Sequence, residues 1–238
     1  MLRDMSAPSY SRRRFLALAG AGSAGLALAS CSSSGAKATP VPAGGSEVIA
    51  AEEARRRAGA AIKDLAIVAA PMTVDLGGSL PVPTWGYGPT VPASEIRIKA
   101  GEVIRARFTN RLPEATTIHW HGISLRNDMD GVPGMTQEAV APQGTFAYEF
   151  TAPDPGTFWF HPHVGLHLDR GLYAPLIVED PAEPGRYDRE YLVVLDDWTD
   201  GLGQSPEMHL EDLRAGRGPH AQHQAGGGPL SEFLNSGG

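Results

Sequence analysis

Across residues 62–180 the chain is written in short arms of alternating apolar and polar residues, each closed by Gly or Pro. A period of two puts successive side chains on opposite faces, so these arms predict strands rather than helices. In EIRIKAGEVIRARFTN (residues 95–110) two arms meet at the Ala100-Gly101 turn, with Ile104, Ala106 and Phe108 on one face and Arg105 and Arg107 on the other. TFAYEFTAP (residues 145–153) groups Phe146, Tyr148 and Phe150 in the same way, PDPGT (residues 153–157) supplies a Pro-Gly turn into the next arm, and APLIVED (residues 174–180) reads as a buried strand. Many short strands in roughly 120 residues, with few helical periods, predict an all-β fold, an antiparallel Greek-key β-sandwich or barrel. A length of 238 residues and 42% hydrophobic content are enough for its core.

The flanks differ. Residues 32–61, rich in Ser, Ala, Gly and Pro before EEARRR, predict a flexible tether with at most one short helical turn. After a Pro/Gly break at residues 181–185, REYLVVLDDW (residues 189–198) reads as the first strand of a further domain over residues 181–238. The Gly-rich remainder has almost no apolar periodicity with which to complete one. At the other end SRRRFL (residues 11–16) sets paired arginines before a weakly apolar run ending at Ser30, the pattern of a twin-arginine export signal over residues 1–31. That run is too short for a comfortable membrane span. It closes on LASC (residues 28–31), which resembles the bacterial lipobox. Cys31 is therefore the expected lipidation site, and the expected location is the cell envelope, lipid-anchored to the membrane outside the cytoplasm.

Cys31 is the sole cysteine, so neither a disulfide nor a thiolate metal ligand is available downstream of it. The histidines are the other candidates. TTIHWHGISL (residues 116–125) and GTFWFHPHVGLHLDRG (residues 156–171) each contain a His-x-His pair, His119 with His121 and His161 with His163. In a strand the two rings of such a pair share a face, with Cα atoms roughly 7 Å apart. Ile118, Trp120 and Gly122 then lie on the opposite face, and the same parity groups Trp159, His161 and His163 against Phe158 and Phe160. Composition alone would give about 0.3 such pairs in a chain of this kind. Two pairs in strand contexts therefore point to a site where four imidazoles, the common nitrogen ligands of Cu, Zn and Fe, converge. Spacing leaves open whether one metal or several adjacent metals are held.

HWHG followed by FWFHPHVGLHLDRGLYAPLIVED resembles the N-terminal cupredoxin domain of the multicopper oxidases, the laccase-like family, over residues 62–200. The resemblance implies a cupredoxin-like fold and copper as cofactor, with His119 at the type 2 ion and His121, His161 and His163 at the type 3 pair. That is a partial ligand set of the cluster at which this family reduces O2 to water, drawing electrons from a small reducing substrate such as a phenol, an amine or a metal ion. It further implies that Trp120 packs into the sandwich and that Gly122 leaves room beside the cluster. In NDMDGVPGMTQ (residues 127–137), Asp130 is the candidate proton relay, or else a plain turn Asp before Gly131. His167 is expected behind the ligands or at the surface, and His209, His220 and His223 in the exposed tail. The family's complete enzymes also use a blue copper site with a Cys thiolate in a C-terminal domain, and no His-Cys-His motif occurs here. The expected molecule is thus a first cupredoxin-like domain (residues 62–180) followed by the incomplete start of a second, its full oxidase activity dependent on missing C-terminal cupredoxin domains.

Charge narrows the partners. The first 31 residues hold four arginines against Asp4, a balance of +3, so the remainder carries −10 of the net −7. An acidic body without a stripe of Lys and Arg argues against nucleic acid. Two other functions use the same histidines: an envelope copper buffer without turnover, and a zinc hydrolase using three of the four. The hydrolase lacks a carboxylate at an obvious general-base spacing.

Overall fold

In the computed structural model, which describes residues 40–77 and 79–217, the alternating arms are strands. β1 (Ile62–Asp75), β2 (Pro81–Gly86), β3 (Ile96–Lys99), β4 (Glu102–Asn110), β5 (His119–His121), β6 (Thr145–Ala152), β7 (Gly156–His161) and β8 (Ala174–Glu179) build two four-stranded sheets, ordered β2-β1-β4-β6 and β3-β8-β7-β5. The pairing is not wholly antiparallel as expected: β1 runs parallel to β4 and β3 to β8, each pair being joined through other strands rather than by a tight turn, and the other pairs are antiparallel.

Register decides which side chains meet. In the first sheet Ile104 sits opposite Phe150, Ala106 opposite Tyr148 and Phe108 opposite Phe146. All of these except the partly covered Phe146 are fully buried, as the alternation predicts. The second sheet answers with Trp120 opposite Phe160 and Phe158 opposite Leu176. The Trp120 ring closes the core, with centroids 4.9 Å from Phe150, 5.1 Å from Phe160 and 5.7 Å from Tyr148. Aromatic side chains bury about 150–250 Å² each, so this cluster is a large share of the apolar area removed from water. Because Trp120 must point inward, its neighbours His119 and His121 point out.

Hydrogen bonds place β5 beneath that cluster. The Ile118 N–H donates to the Tyr148 hydroxyl at 3.0 Å, across the sandwich. Buried Asn110 donates through Nδ2 to the carbonyls of Glu114 and Val140 (2.7 and 2.8 Å) and accepts the Leu112 N–H through Oδ1 at 2.9 Å. One side chain thereby satisfies two backbone groups of the β4–β5 connection and ties it to Val140 in the β5–β6 connection.

Both flanks depart from expectation. Within the stretch predicted to be a flexible tether, Ser46–Glu53 is a helix, α1, and its Glu52 side chain is buried. Glu52 Oε1 accepts the Thr151 N–H at 2.7 Å, so from α1 onward the segment is bonded to the sandwich. A charged residue in a polar run carries no periodic signal of its burial, which is why composition missed it. Residues 189–198 form no strand. Tyr191, Val193 and Leu195 alternate outward at 76%, 73% and 91% exposure, so the pattern of a strand is present without a paired neighbour among the described residues. The tail predicted to lack periodicity holds a second helix, α2 (Pro206–Arg214). Its signal was local: the Ser205 hydroxyl accepts the Met208 N–H as a cap, with Pro206 at the first turn.

Candidate metal centre

The two histidine pairs meet because β5 and β7 are adjacent antiparallel strands in the register His119 to His161 and His121 to Trp159. The rings of His119, His121, Trp159 and His161 therefore share the outer face, while Trp120 and Phe160 fill the core. Potential donor atoms of His119, His121 and His161 all lie within 4.8 Å of one another. His163, just past the end of β7, joins them, its ring centroid 4.3 Å from that of His119 and 5.2 Å from that of His161. Its N–H is directed at Thr117 Oγ1 at 3.4 Å. All four predicted imidazoles converge.

Backbone carbonyls orient two of them. His119 Nδ1 is 2.8 Å from the Asp130 carbonyl, and His161 Nδ1 is 2.9 Å from the Pro162 carbonyl. A carbonyl only accepts, so each Nδ1 carries the proton and each Nε2 keeps its lone pair. His161 Nε2 lies 3.1 Å from His121 Nδ1, so with its own Nδ1 protonated the His161 ring accepts there from the His121 Nδ1–H. Burial pushes the His161 imidazole down to about 4, helped by the neighbouring rings of His119, His163 and His121 and opposed by the Pro162 carbonyl. His163 is lowered too, by burial first and then by His119. These rings are thus neutral at physiological pH, the form that binds metal. A four-imidazole set without thiolate fits copper or zinc.

The surroundings hold the set in place. Trp159 stacks on His161 at 4.2 Å and 29°, and sits 5.0 Å from His121. Asp130 presents its carbonyl to His119, with its carboxylate 3.3 Å from the same nitrogen. Gly131 keeps Asp130 close: its φ is +76°, and an added Cβ would lie 1.8 Å from the Ile118 carbonyl oxygen. Gly122 has a different job from the one expected. A Cβ there would meet Phe158 at 3.0 Å, so what this glycine clears, at φ +84°, is the Phe158 ring rather than the imidazoles.

His167 is buried and lies outside the ligand set. Its Nδ1 is 3.1 Å from Thr116 Oγ1, its Nε2 is 3.2 Å from Glu114 Oε2, and Trp85 meets it edge-on at 5.0 Å. His209 lies on α2. Cys31, His220 and His223 lie outside the described residues. Asn110 and Thr117 brace the segments that carry the histidines and carried no sequence signal, because each acts through a backbone group supplied by another segment.

Comparison with known proteins places this arrangement. A family model described as multicopper oxidase matches residues 69–183. The chain is 47% identical over 217 residues to multicopper oxidase MmcO of Mycobacterium tuberculosis, covering 91% of this chain and 42% of that protein. It is 42% identical over 125 residues to a copper resistance protein A homolog of Pseudomonas syringae pv. tomato, covering 52% of this chain and 21% of that protein. Among solved structures, a multi-copper oxidase from Pseudomonas thermotolerans superposes with a TM-score of 0.51 at 44% identity, over 54% of this chain and 32% of that one. The chain thus spans less than half the length of these relatives.

Proposed function

The chain belongs to the multicopper oxidase family, with its all-β cupredoxin-like fold and copper cofactor, and on that premise we propose that it supplies one wall of an oxygen-reducing copper centre. The observation that carries the proposal is the convergence of four imidazoles, with the Nδ1 atoms of His119 and His161 held by carbonyls so that their Nε2 atoms keep lone pairs. Copper in such a set exchanges single electrons, which couples oxidation of a small reductant (a phenol, an amine or a metal ion) to reduction of O2 to water. Within that centre His119 is the type 2 ligand and His121, His161 and His163 are the type 3 ligands. Asp130, its carboxylate 3.3 Å from His119 Nδ1, holds and delivers protons that oxygen reduction consumes. Trp159 covers one face of the buried His161 ring, while His121, 5.0 Å from the same indole, stays exposed.

Rapid turnover on this proposal needs ligands that these residues do not contain, supplied by C-terminal cupredoxin domains. Export by the twin-arginine route and lipid anchoring through Cys31 belong to the same proposal. An envelope copper buffer is the second reading, favoured by the single cysteine, since rapid electron entry in this family uses a thiolate-bound copper. A copper titration tests the shared part of both. His121→Ala and His163→Ala should each weaken Cu(II) binding by roughly tenfold or more, because one lost ring leaves an incomplete set, while His209→Ala on α2 should not. Equal affinity in all three variants would remove the histidine assignment.

A further inference from the structure

α1 is a poor helix by itself. It has eight residues, Gly45 at its N-cap without a side-chain cap bond, and little amphipathic character, yet it carries Glu52 at 5% exposure. A buried carboxylate is unfavourable unless it is paired, so its partners show what it is for. Glu52 Oε1 accepts the Thr151 N–H at 2.7 Å, and Oε2 lies 2.9 Å from Arg126 Nη1 without the alignment of a hydrogen bond. The second contact is therefore chiefly an attraction of charges. The other edge of the Arg126 fork donates to Asp128, Nε to Oδ1 at 2.9 Å and Nη2 to Oδ2 at 3.3 Å. Arg126 opens the 3-10 turn Asn127–Met129, its carbonyl accepting the Met129 N–H at 3.0 Å, and the Asp130 N–H bonds the Asn127 carbonyl at 3.2 Å. The next group along is the Asp130 carbonyl that fixes His119 at 2.8 Å. Just beyond the helix, Arg55 reinforces the same loop by donating to the Ser124 carbonyl at 2.9 Å.

We propose that Glu52 and Arg126 are positioning residues for the metal centre: α1 straps the 124–131 loop so that the Asp130 carbonyl holds His119 with its Nε2 toward the metal. The proposal rests on the copper reading of the four histidines. Its particular claim is that this N-terminal helix, which touches no ligand, sets the affinity and tautomer of His119. The guanidinium is the hinge of the arrangement because only its planar fork can serve Glu52 and Asp128 together, which a lysine cannot.

The test compares full-length wild type with Glu52→Gln, Arg126→Lys and the double variant Glu52→Gln/Arg126→Gln. Glu52→Gln keeps an acceptor for Thr151 and removes the charge, whereas the double variant removes both charges and so leaves neither buried and unpaired. Two quantities are read: Cu(II) affinity by chelator competition, and the His119 ring-nitrogen shifts of the metal-free protein by NMR. Loss of a group that orients a ligand lowers metal affinity by roughly 10–100-fold, and the lower end is expected here because the link runs through a turn. His119 should change from one tautomer to a mixture in all three variants, and the double variant should regain thermal stability without regaining copper affinity. A merely structural pair makes the opposite prediction, with affinity and stability recovering together. Wild-type affinity in the double variant, or an unchanged His119 tautomer in every folded variant, overturns the proposal. If Glu52→Gln does not fold, the double variant and Arg126→Lys carry the same comparison. If wild type itself binds no copper, the copper reading has failed, and the tautomer measurement still decides the strap.

Discussion

At the scale of single residues, the site depends on rings kept neutral and on one carbonyl kept close. The His161 imidazole is pushed down to about 4 from an ordinary 6.5, chiefly by burial. Between those values the unfolded chain takes up a proton that the folded ring refuses, so stability of the metal-free protein falls as pH drops through roughly 6.5 to 4 and is insensitive to this group above that window. The loss should approach about 3 kcal/mol at the acid end, from 1.36 kcal/mol per pKa unit. Urea midpoints at pH 7 and pH 4.5 measure it, and His161→Gln should flatten the dependence. Gly131 gives a second prediction. Gly131→Ala puts a Cβ against the Ile118 carbonyl, whereas Gly134→Ala, at a similar φ of +71°, meets nothing within 4 Å. Both substitutions strain the backbone, but only the first should also lower copper affinity, by roughly tenfold, because it displaces the carbonyl that orients His119. Equal affinities in the two variants would separate Gly131 from the site.

At the scale of elements, β5 has three residues and a single paired neighbour, so the packing of Trp120 rather than its ladder holds it in place. Trp120→Ala should cost about 3–5 kcal/mol and loosen both flanking histidines. Trp120→Phe should cost clearly less than the lost volume suggests, since Trp120 Nε1 is buried without a partner and the phenyl ring removes that donor. Thermal unfolding of the two variants checks the difference. The strand faces were legible beforehand, because Ile104, Ala106 and Phe108 alternate with Arg105 and Arg107 and no helix could bury them together. The helix α2 announced itself only through Ser205 and Pro206, and Ser205→Ala should loosen it by about 1 kcal/mol. α1 gave no such sign, for the group that holds Glu52 in place lies at Thr151 on β6 and the opposite charge at Arg126.

At the scale of the whole molecule, the proposed copper chemistry is tested through the cysteine count. With Cys31 its sole cysteine, the copper-loaded protein should be colourless or faintly green rather than blue, since blue colour requires sulfur-to-copper charge transfer. Oxygen consumption with a phenolic substrate should stay at background for the chain alone and rise sharply when a C-terminal cupredoxin domain from a related oxidase is added. Laccase-like rates from the chain alone would show that its own residues complete the electron path. The proposed anchoring is tested separately: if Cys31 is lipidated, Cys31→Ala should leave unprocessed precursor or shift the protein to the soluble fraction, because a lipid anchor would supply much of the membrane affinity.

What the sequence by itself determined is whatever repeats locally or depends on counting: the period of two, the pairing of histidines on one face, the solitary cysteine, and the family likeness of the HWHG and HPH motifs. Tertiary structure alone decided the rest. Which carbonyl meets His119, what space Gly122 clears and where the Glu52 charge is neutralised all depend on groups brought together from distant segments, 99 residues apart for the Glu52–Thr151 bond. A strand's faces follow from its own alternation, and a hydrogen bond between segments does not, because its partner is chosen by how the two sheets and α1 pack.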